Sequence, residues 1–522
     1  MKRINILCLL AVLFYACFED KGNYDYENIH QLDVQFPAGH YDVTFGENLD
    51  IEATLGDNMA PDTTRYEYTW SVDDEILEKE KTRFLSWEAN RVIKGGFVAL
   101  QVNDTQTGII YSARARINVL GIYENPYSWM ILSDNGGKSQ LSYFSCLEYD
   151  DEKEEFVKTD FIADTYSGAN EGGELGSGPI AIQEHFREGE NWNDEIIGNV
   201  CIFQESGAVD LNGESFEKES ELKDAFDGGQ PENTTMYPGT FMDFTDVVID
   251  QDGKLYSRIK EVSTVYNNGY FLPEPLKFKD EELTDCRIAY GYYRSNRTGY
   301  NFIYDGGKKR MLYVVNNTGN YYADLEGAGR IETLSAHGEN DNINNIVPLD
   351  NLSGYGVIKI SMFGYGYPDY GLFMCLREEA TGKIYIQMVK VSGSGGKPSV
   401  QEVKRYEIKG LGGKTPQTVT LPVERPAFVF FGVDQEVYFF SLNNPENPAR
   451  LYQQFDSPIT VLNAESHYGD HMAVGLENGD FYIMNIYNAH NVAQDKRILY
   501  KSTEKVGRIV DIQYKNLDHW NY

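Results

Sequence analysis

The chain has 522 residues, a formal net charge of −34 from 46 basic and 80 acidic side chains, and six cysteines. That length predicts at least two domains, and so acidic a balance argues against nucleic acid or other polyphosphates as partners, which need clustered Lys and Arg. With 38 tyrosines and 49 glycines, strand formers and turn formers dominate, and an all-β chain is predicted.

In chain order, the first element is a leader. Lys2 and Arg3 precede an apolar run from Ile4 to Phe14, and the small residue Ala16 stands directly before Cys17. This is a basic n-region and an apolar h-region of signal-peptide length, too short to span a bilayer. A core-facing cysteine at position 17 would leave the apolar run unexplained. The small residue before Cys17 makes the stretch resemble a bacterial lipobox. That resemblance implies a signal peptide over residues 1–16, an acylated Cys17, and a linker over 17–29. Two or more acyl chains on one residue anchor a protein firmly, whereas one does not. Glu19 and Asp20 resemble the export signal of Bacteroidetes surface lipoproteins, which implies an outer-membrane protein, lipid-anchored and exposed at the cell surface. No later run reaches membrane-spanning length.

Residues 30–121 read as period-two strands separated by turns. "NLDIEATLG" (48–56) alternates, "RYEYTWSVDD" (65–74) sets Tyr66, Tyr68 and Trp70 on one face, and "GFVALQVND" (96–104) and "IIYSARARINVLG" (109–121) close the unit. A Trp in mid-strand predicts the core pillar of an Ig-like β-sandwich. The tag "CFEDKGNYDY", followed by "YTWSVDD" and "LQVNDTQTG", resembles the PKD-like lipoproteins of Bacteroidetes over the first quarter of the chain. This resemblance implies an N-terminal PKD-like sandwich and a place beside SusC-type transporters and SusD-type lipoproteins.

Residues 122–522 repeat a motif of apolar strand, Gly or Asp turn and aromatic strand. It recurs at 128–145, 198–213, 244–259, 300–315, 370–391, 427–442 and 471–487. The average period of about 55 residues is near that of a four-stranded blade, so a seven-bladed β-propeller is predicted. Later repeats carry a strand before the hairpin, whereas the first has none, and "GRIVDIQYK" (507–515) is left over at the C-terminus. It is expected to complete the first blade and cover edges that would otherwise pair with other chains. Two successive sandwiches are the alternative, which leaves the regular period unexplained.

No motif marks a catalytic centre, so no catalytic residue, cofactor or metal is expected. "GLGGKTP" (410–416) has Ile408 where a P-loop needs its first Gly, "HYGDH" (467–471) lacks the Glu of a zinc helix, and "DQDG" (250–253) reads as a hairpin turn. Cys146, Cys201, Cys286 and Cys375 have no paired spacing. Buried free thiols are the default, with two disulfides as the alternative. Aromatic-rich loops at 184–195, 266–271, 290–300 and 363–371 stand out, because aromatics with Asn, Gly and Arg give contact area at low entropic cost. Trp192, Tyr292, Tyr293, Tyr300, Tyr365, Tyr367 and Tyr370 are the candidate binding residues for a ligand or partner.

The resulting expectation is a non-catalytic accessory or binding component of a SusC/SusD-type uptake complex for oligosaccharide or oligopeptide. A structural scaffold with no ligand is the alternative, and a propeller glycosidase or lyase the third reading.

Overall fold

The structure, a computed structural model, describes residues 32–57, 63–91, 93–123, 127–150, 153, 155–186, 198–242, 244–260, 269–289, 299–316, 327–366, 369–392, 397–422, 426–465 and 469–515. The chain divides into two units between Leu120 and Gly121. Both are built almost wholly of strands.

In the first unit, a five-stranded sheet runs in the order His40–Thr44, Ile110–Leu120, Ile93–Asp104, Tyr66–Val72, Glu75–Leu77. Two ribbons complete it, Leu32–Gln35 with Thr54–Asp57 and Asn48–Glu52 with Phe84–Glu88. Val34, Ile51, Leu85 and Trp87 from the ribbons share one buried cluster with Trp70, Leu100 and Ile117 from the sheet. The alternation of Asn48–Glu52 places Leu49 and Ile51 inward, as period-two patterning requires. The stretch 48–56 is not one strand, however. It breaks at buried Ala53, whose amide donates to Arg83 O (3.0 Å), and the two halves pair with different partners.

Trp70 is fully buried, donates from Nε1 to Thr82 O (2.8 Å) and stacks on Phe36 at 5.4 Å. Replacing it with Ala leaves a cavity and an unmet carbonyl. We expect Trp70→Ala to cost about 3–5 kcal/mol, read as a lower denaturation midpoint of the first unit.

The second unit contains, among the described residues, seven sheets and one short hairpin. All seven predicted hairpins are present within them. Sheet 1 joins Ser128–Asn135, Lys138–Asp150 and Glu155–Ile162 with the last strand, Arg508–Tyr514. Sheets 2 to 7 open on Pro179–Phe186, Met236–Phe241, Cys286–Ile288, Tyr355–Gly366, Thr418–Thr420 and Ile459–Ala464, and each adds its other strands in chain order by antiparallel pairing. Sheet 3 has three strands among the described residues rather than four. The C-terminal strand pairs antiparallel with the first hairpin, Trp129 opposite Tyr514 and Ile131 opposite Ile512, as its leftover position in the repeat predicts.

Successive sheets are tied by hydrogen bonds near their opening strands. Asp511 Oδ2 accepts from Ile182 N (2.8 Å), and Gln183 exchanges two bonds with Gly239 (2.9 and 3.0 Å). Asn301 Nδ2 donates to Thr240 Oγ1 (2.7 Å), and Arg287 Nη1 donates to Val357 O (2.8 Å). Ala464 N donates to Thr420 Oγ1 (3.1 Å), and Tyr514 N donates to Asn463 Oδ1 (3.1 Å). Sheets 5 and 6 share a buried cluster of Phe363, Phe373 and Ile386 with Val419, Leu421 and Phe431. Each sheet therefore touches the next, and the seventh touches the first.

Candidate functional site

Within each sheet, strands alternate in direction, so the first-to-second and third-to-fourth connections leave from one edge. The four aromatic-rich loops are all connections of these two kinds: 184–195 follows the opening strand of sheet 2, 290–300 that of sheet 4, 363–371 that of sheet 5, and 266–271 follows the third strand of sheet 3. Side-chain contacts set these edges side by side. The His185 ring lies 4.5 Å from that of Phe241, Asn316 Oδ1 accepts from Phe244 N (2.9 Å) and Thr245 N (3.1 Å), and Tyr300 meets Tyr370 edge-on at 6.5 Å.

A belt of buried charge lies at this edge. Asp246 and Arg258 are cross-strand partners in sheet 3. Asp246 Oδ2 accepts from Arg258 Nε (2.9 Å) and Nη2 (2.6 Å), while Lys260 Nζ sits 3.0 Å from Oδ1. Arg258 also lies over the Phe271 ring at 4.7 Å. Burial pushes the Asp246 pKa up, but Lys260 and Arg258 outweigh it and hold the carboxyl below its usual range. On sheet 2, His185 Nε2 is 3.2 Å from Asp210 Oδ1, and Lys515 Nζ reaches Glu184 Oε1 at 2.9 Å. Charges so enclosed persist only when paired, so this belt fixes the strand ends that carry the loops.

The sequence singled out the loops and missed the belt. Its signal was present: the Asp-Gly turn at 252–253 sets a register that puts Asp246 opposite Arg258. That turn is a hairpin turn, with Asp250 Oδ1 accepting from the amides of Asp252 and Lys254 (both 2.9 Å). The lipidation candidate Cys17 lies outside the described residues, as do the candidate binding residues Trp192, Tyr292, Tyr293 and Tyr367 and the side chain of Tyr365. Tyr300 is 1 % exposed and belongs to the core shared by sheets 4 and 5. It supports the edge from within and offers no surface. Tyr370 is half-buried beside it. Tyr270, in the 266–271 loop, is 64 % exposed.

Cys201, His185 and Asp210 have the residue types of a nucleophile set, but the geometry is wrong for one. Both Cys201 and His185 bond to the same Asp210, all three are buried, and burial together with Asp210 raises the thiol pKa well above its usual value. Burial also lowers the His185 pKa. A nucleophilic thiol needs the reverse, a depressed pKa and access. The four body cysteines are free and buried, and burial pushes the Cys286 thiol up to about 12. Among the described residues, no three His, Cys, Asp or Glu side chains gather as a metal ion requires.

Lys359, on the opening strand of sheet 5, interacts electrostatically with Asp511, on the last strand in sheet 1. Lys359 is open to water, yet enclosure by surrounding protein lowers its pKa. The same enclosure raises Asp511 to about 6, against the opposing pull of the Ile182 and Ile512 amides and of Lys359. A carboxyl raised in the folded state holds its proton more tightly there than in the unfolded chain. Its stabilising contribution is full below the unfolded pKa and is lost as pH rises through about 6. Asp511→Asn is therefore expected to flatten the stability profile between about pH 4 and 6, measured by denaturant titration at stepped pH. An unchanged slope counts against this assignment.

Residues 17–179 match the PKD-like family. The match starts at Cys17 and extends through the first sheet of the second unit to Pro179, the first residue of sheet 2. No curated protein matches the chain. Among solved structures, one described as "Crystal Structure of Mitotic Checkpoint Complex" is similar over 63% of this chain and 87% of that one, at 9% identity and a TM-score of 0.34. A likeness that loose assigns neither fold nor function.

Proposed function

We propose that the chain is a cell-surface lipoprotein of the outer membrane, anchored through Cys17. In this reading it is a non-catalytic accessory or binding component of a SusC/SusD-type complex that takes up oligosaccharide or oligopeptide. The second unit is a seven-bladed β-propeller whose first blade is completed by the C-terminal strand. Cyclic contact between its seven sheets supports that architecture, as does the Lys359–Asp511 pair, which fits two side chains facing each other across a narrow wet channel.

The observation that carries the functional reading is the shared edge. The described strand ends from which the four aromatic-rich connections of sheets 2 to 5 run lie at one edge, and those of sheets 2 and 3 are held by paired charge. Such a composition suits recognition, since aromatic side chains supply contact area at low entropic cost. The anchor rests on the basic and apolar leader before Cys17 and on the start of the PKD-like match at that residue.

Affinity purification of the epitope-tagged chain from mildly solubilised outer membranes tests this reading. Recovery of a SusC/SusD-type pair supports it, and recovery of the lipoprotein alone overturns it. Cys17→Ala is expected to abolish palmitate labelling and release the chain from the membrane fraction. If Tyr365→Ala with Tyr367→Ala weakens complex formation but leaves ligand capture intact, the scaffold alternative holds instead.

A further inference from the structure

On the other edge of sheets 6 and 7, away from the aromatic loops, a cavity of about 590 Å³ opens between the Asp434–Gln435 turn, the segment leading into sheet 7 and the start of the last strand. Its size is that of a small-molecule site. One wall is rigid. Asp434 holds a left-handed conformation (φ 52°), its carboxylate accepts from Lys414 Nζ (2.8 Å) and Gln417 Nε2 (3.2 Å), and its amide donates to Gln417 Oε1 (2.9 Å). Its carbonyl accepts from Ile459 N (2.7 Å), which locks the turn to the facing segment.

The other wall carries Glu477 and Arg508. Glu477 is fixed by its amide, which donates to Pro458 O (2.9 Å). Close backbone approach brings the two residues' segments together: a Cβ on Gly479 would strike Val506 O. Arg508 and Glu477 line the same cavity, and neither has a side-chain hydrogen bond or ion pair among the described residues. Among the described residues, none that lines the cavity is aromatic, so they offer no stacking platform of the kind sugar rings favour.

We propose that this cavity binds a short zwitterionic peptide, its carboxylate on Arg508 and its ammonium on Glu477. The site is separate from the aromatic edge and needs no partner protein, so its test is independent of the uptake-complex reading. Titration calorimetry of the purified full chain uses trialanine, N-acetyl-trialanine, trialanine amide and maltotriose as probes. Trialanine is expected to bind, and each capped form about 10- to 100-fold more weakly, the range for losing one charge-assisted contact. Arg508→Gln and Glu477→Gln should weaken trialanine by a similar factor, and both side chains are exposed, so the fold is kept. The assignment is overturned if trialanine gives no heat at millimolar concentration, if capping or either variant leaves affinity unchanged, or if maltotriose binds in its place.

Discussion

Ending the chain at Gly507 abolishes the cooperative unfolding transition of the second unit and leaves an aggregating product. The lost strand buries Ile509, Ile512 and Tyr514 against Trp129, Ile131 and Phe481. Each buried Ile contributes roughly 1.5–3 kcal/mol, and their sum with Tyr514 is a large share of the about 5–15 kcal/mol that holds a domain folded. Truncation also removes the Asp511 link to Ile182 and the Lys515–Glu184 pair between sheets 1 and 2. It strips the ladder from one side of Ser128–Asn135, baring an edge that pairs readily with other chains. Ile512→Pro is the milder form, because the ring removes the amide that donates to Asp511 Oδ1 (2.9 Å) and disturbs the pairing opposite Ile131. We expect it to cost about 2–5 kcal/mol, the range for shortening a buried Ile. Differential scanning calorimetry and near-UV circular dichroism read both effects. A wild-type melting temperature in the truncated chain would show that the strand is dispensable.

Asp246→Ala is the most damaging single side-chain change expected at the loop-bearing edge. It leaves Arg258 and Lys260 buried and facing a methyl group, with their contacts to Asp246 gone. Breaking a buried pair in this way costs about 3–5 kcal/mol, whereas replacing all its members with apolar residues is often close to neutral. The triple variant Asp246→Leu, Arg258→Met, Lys260→Met should therefore be more stable than Asp246→Ala alone, despite carrying more substitutions. Chemical denaturation of the three proteins gives the order directly. If the triple variant is the least stable, packing around Phe271 rather than uncompensated charge governs this cluster.

Local pattern was enough for the strands and not enough for their partners. The alternation at Leu49 and Ile51, the Asp-Gly turn at 252–253 and the seven aromatic hairpins are visible in sequence because period and turn chemistry act over a few residues. The stretch 48–56 shows the limit: its alternation is continuous in sequence, yet Asn48–Glu52 pairs with Phe84–Glu88 and Thr54–Asp57 with Leu32–Gln35, a division that distant partners decide. Tyr300 shows another. Its loop-like neighbourhood marked it for the surface, but it begins a strand whose six residues are all buried between neighbouring sheets.

By itself, the sequence determined the all-β class, the Trp-centred first unit, the repeat of the second and the need for the last strand to return to the first hairpin. Each follows from periodicity, from turn residues, or from counting strands. Only the tertiary structure decided that Arg258 and Lys260 share the Asp246 carboxylate, that Cys201 is sealed and raised in pKa, and that Glu477 and Arg508 line one cavity. A charge's partner lies wherever folding brings the chain back, and no local pattern encodes the dielectric and distance that fix its protonation.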